Sequence, residues 1–198
     1  MDKLDAANTW ETTYCRMKKS GQELIIPQKL PAYGDFGIKY YPAGGHILGP
    51  VAMLLSLGYG VHSAEVKNLE NYFKHYLIAM QLNDDAHDWK EDLQRGHVST
   101  AVYLILKEWQ KLHPERTSIH LENDMPELEK IFWFKALTPL SLSVLTRTKA
   151  SRRALNQLKF IEEKTPLEHF IIRNERTANE ALDEQENSHR FLQNFTLS

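Results

Sequence analysis

The sequence predicts an all-α protein, and three observations lead to that prediction. Apolar residues recur at helical spacing through most of the 198 residues. Residues typical of helix starts and helix ends divide the chain into segments of helical length. No alternation of apolar and polar residues is long enough to indicate a strand, and no internal repeat is present. We therefore expect one helical domain that comprises residues 1–198.

The composition limits the class of protein and its partners. A hydrophobic content of 42% in a chain of this length supports one sizeable core. Lys and Arg number 24 against 26 for Asp and Glu, so no broad basic surface is expected and nucleic acid is excluded as a partner. Cys15, the single cysteine, can form neither an internal disulfide nor a Cys-x-x-Cys motif. That usage is typical of a reducing compartment, so a cytoplasmic location is predicted.

The longest apolar run, Ile47–Leu57, bears on membrane association. Gly49-Pro50 interrupts it, and it falls short of the roughly 20 apolar residues that a membrane-spanning helix needs. No transmembrane segment is therefore expected, and no signal peptide precedes the run. If the protein is peripheral to a membrane, this run is the segment that we expect at the surface.

Residues 1–45 are predicted to form an N-terminal helix and an irregular connection. Apolar side chains recur every third or fourth residue from Leu4 to Met17, with Lys18-Lys19 in the last turn and Gly21 at the end of the helix. Glycine and proline are frequent from Gln22 onward, which indicates a connection without regular structure. A short hairpin is the alternative for that segment.

Residues 46–173 are predicted to form the helical core. An apolar helix follows Gly44-Gly45 and ends at Gly58 or Gly60. Ser63 is expected to cap a long helix that ends near Arg95-Gly96. The remaining predicted core helices run from Ser99 or Thr100 to Pro114, over residues 126–135 and over residues 139–159.

Residues 174–198 are predicted to form a polar C-terminal helix or tail. The last helix begins at Thr165-Pro166-Leu167-Glu168, which combines a capping box with proline in the first turn. We expect this helix to continue toward Phe191. The acidic, Asn-rich part after Asn174 is expected to be solvated and frayed.

The long helix after Ser63 carries the residues with the clearest chemistry. At 100° per residue, its apolar face turns acidic toward the C-terminal end. The residues of that face are Phe73, Leu77, Met80, Gln81, Asp84, Asp88 and Asp92. The opposite face is apolar as well, so the helix is expected to lie at the centre of the fold with little solvated surface.

Like charges three or four residues apart destabilise a helix by about 0.2–0.5 kcal/mol per pair, and this helix contains several such pairs. Arg95 follows Glu91 by four residues and Asp92 by three, so it can relieve that end of the cluster. The carboxylates left without such a partner are Asp84, Asp85 and Asp88.

A divalent cation would supply the missing positive charge. Carboxylate oxygens are hard ligands, and Mg²⁺ is typically held by one or two carboxylates together with waters and phosphate oxygens. The pattern therefore predicts Mg²⁺ and, with it, a phosphorylated ligand. The alternative is a solvated acidic helix end, since acidic runs are common.

Residues 77–96 resemble an aspartate-rich helix of the class I isoprenoid synthases. Gln81 followed by Asp84-Asp85-x-x-Asp88 is similar to the second aspartate-rich motif of trans-prenyltransferases. Glu91-Asp92 followed by Arg95-Gly96 is similar to squalene and phytoene synthases. The resemblance extends over roughly residues 45 to 100 and implies a helical bundle of the isoprenoid synthase type.

The resemblance also implies roles for individual residues. Mg²⁺ would bridge an isoprenyl diphosphate to the metal-binding set, which is Asp84, Asp85, Asp88, Glu91 and Asp92. Gln81 and Arg95 would contact the phosphates, whereas Leu77, Phe73 and Met80 would line a lumen for the hydrocarbon tail. The implied chemistry is prenyl transfer or ionisation of the diphosphate, with the first three aspartates as catalytic residues.

Family members carry two aspartate-rich motifs on facing helices, whereas this sequence contains one. The chain is also shorter than a complete synthase, and its predicted first helix would lie in the middle of a complete bundle. We therefore expect an incomplete bundle, with three alternatives: a fragment, a reduced homologue, or half of a two-chain enzyme. In the last case a second protein chain, or a second copy of this one, completes the site.

Two other functions fit parts of the pattern. Glu186 and His189 form a Glu-x-x-His pair, and Asp84 with His87 forms an analogous Asp-x-x-His pair, which is a ligand arrangement of carboxylate-bridged di-iron bundles. The second alternative is a non-catalytic helical interaction protein that retains the fold.

Overall fold

The structure, a computed structural model, describes the backbone of residues 2–33 and 44–196. Within these ranges, side chains are described except at residues 2–4, 44, 189 and 191–196. The part of the predicted irregular connection that covers residues 34–43 lies outside the described residues.

The predicted all-α class is confirmed, since helices account for most of the described residues. A 3-10 turn, Gly44–Ile47, leads into the second helix, and a π-helical segment, Phe132–Ala136, joins the fifth helix to the sixth. The α-helices are α1 Asp2–Tyr14, α2 Leu48–Ser56, α3 Ala64–Gln94, α4 Thr100–Leu112, α5 Met125–Ile131, α6 Leu137–Gln157 and α7 Thr165–Thr196.

A small antiparallel sheet accompanies the helices, with the strand order β1 (Lys18–Ser20), β2 (Glu23–Ile25) and β3 (Ser118–His120). The predicted helical last turn at Lys18-Lys19 is therefore wrong. A short hairpin, the alternative for the segment from Gln22 onward, is present, but it begins earlier than that segment, at Lys18. Gly21 has a φ of 61° and allows the tight turn between β1 and β2. Each strand has three residues, too few for an alternating pattern to be recognised in the sequence.

Both predicted ends of the long helix α3 are confirmed. The Ser63 hydroxyl accepts a hydrogen bond from the Val66 N–H at 3.3 Å, which caps the first turn. Gly96 follows the last turn with a φ of 71°. A Cβ atom at Gly96 would lie 2.9 Å from the Met17 carbonyl oxygen, and the Met17 N–H donates to the Gly96 carbonyl at 2.7 Å. The turn after α3 is thus joined to the segment between α1 and β1.

The two helices predicted over residues 126–135 and 139–159 form one continuous helical run through the π-helical segment. Gln185 of α7 stabilises this segment because its side-chain N–H donates to the Trp133 carbonyl. The Thr138 hydroxyl donates to the side-chain oxygen of Gln185 at 2.6 Å. A π-helical turn disturbs the regular hydrogen-bond ladder, and Gln185 supplies a partner from outside the run.

The predicted last helix is present as α7 and continues to Thr196. The part after Asn174 is polar and mostly accessible, but the expectation that it is solvated throughout is wrong, because Ala178 and Gln185 are buried. The predicted capping box is also absent. The Thr165 N–H donates to the Glu163 carboxylate at 2.8 Å, so an acid outside the helix caps its first turn.

Glu168, the predicted capping acid, instead pairs with Arg152 of α6 at 2.5 Å. The same guanidinium also forms two hydrogen bonds of 2.6 Å with Glu175. Glu168 therefore pairs with another helix instead of capping its own, and the bidentate pair of Arg152 with Glu175 strengthens the same link.

The core lies around α3, which packs mainly on α6, while α6 packs in turn on α7. The expected central position of α3 is confirmed. A larger apolar cluster contains Ile78, Leu82 and Trp109, and a smaller one contains Leu54, Tyr72 and Leu155. A small polar residue of α6 contacts the backbone of α3: the Ser151 hydroxyl donates to the Tyr72 carbonyl at 3.0 Å. In the described part of the chain, every helix is too short or too polar to cross a bilayer.

The apolar run around α2 remains largely outside the core. Its exposed side chains, and those just after it, are Leu48, Met53, Leu55, Leu57 and Val61. Leu54 of the same helix is buried against the smaller cluster. The helix therefore packs on this cluster through Leu54 and the partly buried Val51, and leaves most of its other apolar residues accessible.

Candidate functional site

The acidic residues of α3 do not converge on one point. Asp85 accepts a hydrogen bond from the Thr100 N–H at 2.7 Å and thereby caps α4. The expectation that Asp85 lacks a partner is wrong. Ser99 occupies the N-cap position, but its hydroxyl forms no cap hydrogen bond and is buried without a partner among the described residues. A carboxylate is favoured there because it lies at the positive end of the helix dipole.

Asp92 faces His97 on the opposite side of the chain reversal. The imidazole Nδ1 lies 3.3 Å from an Asp92 oxygen, and Nε2 lies 3.5 Å from a Glu11 oxygen. Hydrogen bonds to these two carboxylates raise the pKa of His97 to about 9, against the opposing effect of burial. His97 is therefore protonated at neutral pH and supplies a positive charge to Asp92.

Glu91 pairs with Arg95 four residues later, as the sequence predicts. Both side chains are largely exposed, so this pair adds little stability. It does, however, leave Arg95 engaged with a carboxylate of its own helix. The predicted phosphate contact of Arg95 stays a prediction.

Asp84 lies in a cleft between α3 and α7 with a volume of about 340 Å³. The Asp84 side chain is largely accessible, but the walls of the cleft desolvate its carboxyl in part. This desolvation raises the pKa of the carboxyl above its ordinary value, and the negative charges of Asp88 and Asp85 raise it further. Arg173 and His87 act in the opposite direction. The side chains that line the cleft are Tyr76, Met80, Asn83, Asp84, His87, Phe170, Arg173, Asn174 and Thr177.

The cleft has a polar side and an apolar side. Asn83 donates to the backbone carbonyl and to the side-chain oxygen of Asn174, both at 3.1 Å, which joins α3 to α7. On the apolar side, the Tyr76 and Phe170 rings lie 5.7 Å apart between centroids. The Tyr76 hydroxyl lies 3.8 Å from the Met80 sulfur. The cleft therefore presents charged groups next to an apolar wall.

The predicted substrate-contacting residues are distributed unequally. Met80 lines the cleft, whereas Leu77 is buried and Phe73 packs against Tyr72 with ring centroids 5.0 Å apart. Gln81 has a buried side-chain oxygen without a hydrogen-bond partner in the described part of the chain. Such an unsatisfied group costs about 1–3 kcal/mol, so a ligand or ordered water at Gln81 would be stabilising.

Fewer carboxylates are available to hold Mg²⁺ than the sequence predicts. Among the described residues, no three His, Cys, Asp or Glu side chains are grouped so that they could hold a metal ion. Asp85, Glu91 and Asp92 have protein partners. Asp84 and Asp88 remain, both exposed and with their charges coupled. Mg²⁺ is often held by one or two carboxylates, with waters and phosphate oxygens completing its shell, and these two aspartates match that mode.

The residues that α7 contributes to the cleft were missed in the sequence. Phe170, Arg173 and Thr177 recur at helical spacing and could have been recognised as one face of a helix. The last helix was predicted, but the sequence does not show which helix its Phe170–Arg173–Thr177 face packs against. The partner of α3 at this cleft was therefore not predicted.

A second cavity, of about 640 Å³, lies between α3 and the helical run α5–π segment. His87 lines both this groove and the Asp84 cleft. Three aromatic residues of the π-helical segment line this groove: Phe132 is buried, whereas Trp133 and Phe134 are half-buried.

The di-iron arrangement gains no structural support. Glu186 pairs with Arg190 of its own helix, and the His189 side chain lies outside the described residues. The exposed apolar residues around α2 are compatible with an interaction protein.

Comparison with known proteins identifies no relative, because no family model matches the chain and neither a curated protein nor a solved structure matches it significantly. The assignment of function therefore depends on the chemistry of the cleft and on the resemblance carried by residues 77–96.

Proposed function

We propose that the protein binds an isoprenoid diphosphate, together with Mg²⁺, in the cleft between α3 and α7. The observation that carries this proposal is the position of Asp84, which shares the cleft with Arg173 and has its charge coupled to Asp88. The cleft thus contains a carboxylate for a cation, with a second acid one turn further along α3, and an arginine for an anion.

The electrostatics of the cleft favour a bound cation. The raised pKa of Asp84 reflects partial desolvation and the repulsion from its acidic neighbours. A divalent ion would offset that repulsion and lower the pKa again. Arg173 forms no ion pair with another residue in the described part of the chain, so its guanidinium is available for a phosphate oxygen.

The apolar wall favours an amphiphilic ligand. Met80, Tyr76 and Phe170 provide apolar and aromatic surface beside the charged groups. Ligand sites typically enclose about 300–1,000 Å³, so a cleft of about 340 Å³ lies at the lower end of that range. It suits a diphosphate and the first part of a hydrocarbon chain.

The residues present would bind and orient the diphosphate. Asp84 and Asp88 would hold Mg²⁺, which when bound neutralises charge on a departing diphosphate. Arg173, which lines the cleft, would orient the phosphate. Prenyl transfer or ionisation is proposed for the assembly in which a second chain, or a second copy, completes the site.

The first test is calorimetric titration of a non-hydrolysable farnesyl thiodiphosphate into the protein, with Mg²⁺ and with EDTA. Binding is expected only with Mg²⁺, and it should weaken at least about tenfold in Asp84→Asn/Asp88→Asn, because the cation loses both carboxylates. Asp183→Asn removes an exposed carboxylate elsewhere on α7 and should bind like the unaltered protein.

Two results would contradict the proposal. One is the absence of binding in both solutions. The other is equal affinity of the double variant and the unaltered protein, because the carboxylates would then have no part in holding the ligand.

A further inference from the structure

We propose that the groove between α3 and the α5–π run is a separate binding site for an amphipathic anion, a ligand with an alkyl or aromatic body and one phosphate or carboxylate group. The groove volume of about 640 Å³ lies well within the range of small-molecule sites. The side chains that line it are Ala86, His87, Trp89, Lys90, Pro126, Glu129, Lys130, Phe132, Trp133 and Phe134.

The π-helical segment builds the aromatic wall. Phe132 stacks on Trp89 with ring centroids 5.0 Å apart, which fixes the base of the groove. Trp133 and Phe134 follow in the same segment and remain half-buried. π-helical turns occur frequently at functional sites, and a hydrogen bond from Gln185 to the Trp133 carbonyl holds the backbone of this one. It maintains the geometry that places these rings along the groove.

The charges at the rim select an anion. The rim contains two lysines, Lys90 and Lys130, and one acid, Glu129. Lys90 forms an ion pair with Glu129 at 2.5 Å. Lys130 has no ion pair with another residue in the described part of the chain. The rim therefore carries a net positive charge, which favours a ligand headgroup of opposite sign.

A cationic ligand is disfavoured by the same rim. Lys90 already lies with its Nζ atom 5.7 Å from the centroid of the Trp89 ring. That ring face therefore has a cation next to it, and a second cation would meet like charge from both lysines.

The groove is distinct from the cleft of the proposed function. None of the acidic residues of α3 lines it, and the ligand class needs no metal ion. His87 alone is common to both cavities. The groove can therefore bind its ligand even if the cleft binds no diphosphate, and the two proposals can fail independently.

The test is a fluorescence titration of the full chain with dodecyl phosphate, in EDTA and below the micellar concentration of the ligand. Trp89 and Trp133 line the groove and report on its occupancy. Saturable binding of one molecule per chain is expected, and Asp84→Asn/Asp88→Asn should leave it unchanged.

Two variants separate the contributions of shape and charge. Ala86→Leu adds volume inside the groove and should weaken binding by about tenfold or more, whereas Ala52→Leu adds the same volume on the exposed face of α2 and should have no effect. Lys130→Gln should weaken dodecyl phosphate severalfold without altering the binding of dodecanol. Thermal unfolding checks that each variant is folded.

The site is refuted if the fluorescence change does not saturate, or if Ala86→Leu binds as tightly as the unaltered protein while folded. The ligand class is wrong if dodecyltrimethylammonium binds as tightly as dodecyl phosphate. In either case, the aromatic groove would be a packing feature or a site for ligands of another charge.

Discussion

At the scale of single residues, charge partners from other parts of the chain decide the role of each acid on α3. Asp85 caps α4 through the Thr100 N–H, Asp92 faces His97, and Asp84 enters the cleft opposite Arg173. Adjacent carboxylates of one helix therefore have different functions, although their sequence context is similar.

The pH dependence of stability should reveal the charge of His97. Its folded-state pKa of about 9 lies above the ordinary value of 6.5. The stabilisation that protonated His97 gives the folded state is therefore complete below about pH 6.5 and is lost as the pH rises through about 9. Over that range this contribution to the free energy of unfolding is at most about 3 kcal/mol. Urea unfolding at about pH 6 and pH 10 measures it. His97→Gln should lose the pH-dependent difference, and an identical pH response of variant and unaltered protein would refute the assignment.

At the scale of elements, caps and connections show how far the sequence is informative. Ser63 and Gly96 lie at the ends of α3 as predicted, because both signals are local. The cap of α4 was not predictable, because Asp85 lies 15 residues before Thr100 and reaches it only after the chain reverses. The π-helical segment likewise depends on Gln185, from the part of the last helix that was expected to be solvated.

Replacing the cap of α4 tests this element directly. Asp85→Ala should lower the free energy of unfolding by about 1–2 kcal/mol, because a helix N–H loses its acceptor. Asp85→Asn retains an acceptor oxygen and should cost less. Ser99→Ala is the matched control, since the Ser99 hydroxyl forms no cap hydrogen bond and should be dispensable. A larger loss in Ser99→Ala than in Asp85→Ala, in urea unfolding, would assign the cap to the serine.

At the scale of the whole molecule, α7 completes the fold instead of forming a solvated end. It buries Ala178 and Gln185 and is tied to α6 by the pairing of Arg152 with Glu175. The all-α class and the central position of α3 could be predicted because helical periodicity is local. The packing of α7 and the three-residue strands could not, since both depend on contacts between distant segments.

Ending the chain after Asn174 should therefore destabilise the whole molecule. The deletion removes Glu175, which pairs with Arg152 of α6, together with the buried Ala178 and Gln185. It therefore uncovers apolar core surface. We expect a lower thermal midpoint and binding of a hydrophobic dye at room temperature, neither of which the full chain should show. An unchanged midpoint would mean that the C-terminal half of α7 is a tail after all.

The close approach at Gly96 restricts how this sequence can diverge. The left-handed φ and the contact with the Met17 carbonyl both exclude a side chain, whereas Gly45 and Gly49 have open space around them. Among substitutions found by random mutagenesis and selection for folded protein, position 96 should remain glycine while those two positions vary. The N-terminal hairpin is thus inherited together with the turn after α3, and an insertion or deletion on one side requires a compensating change on the other.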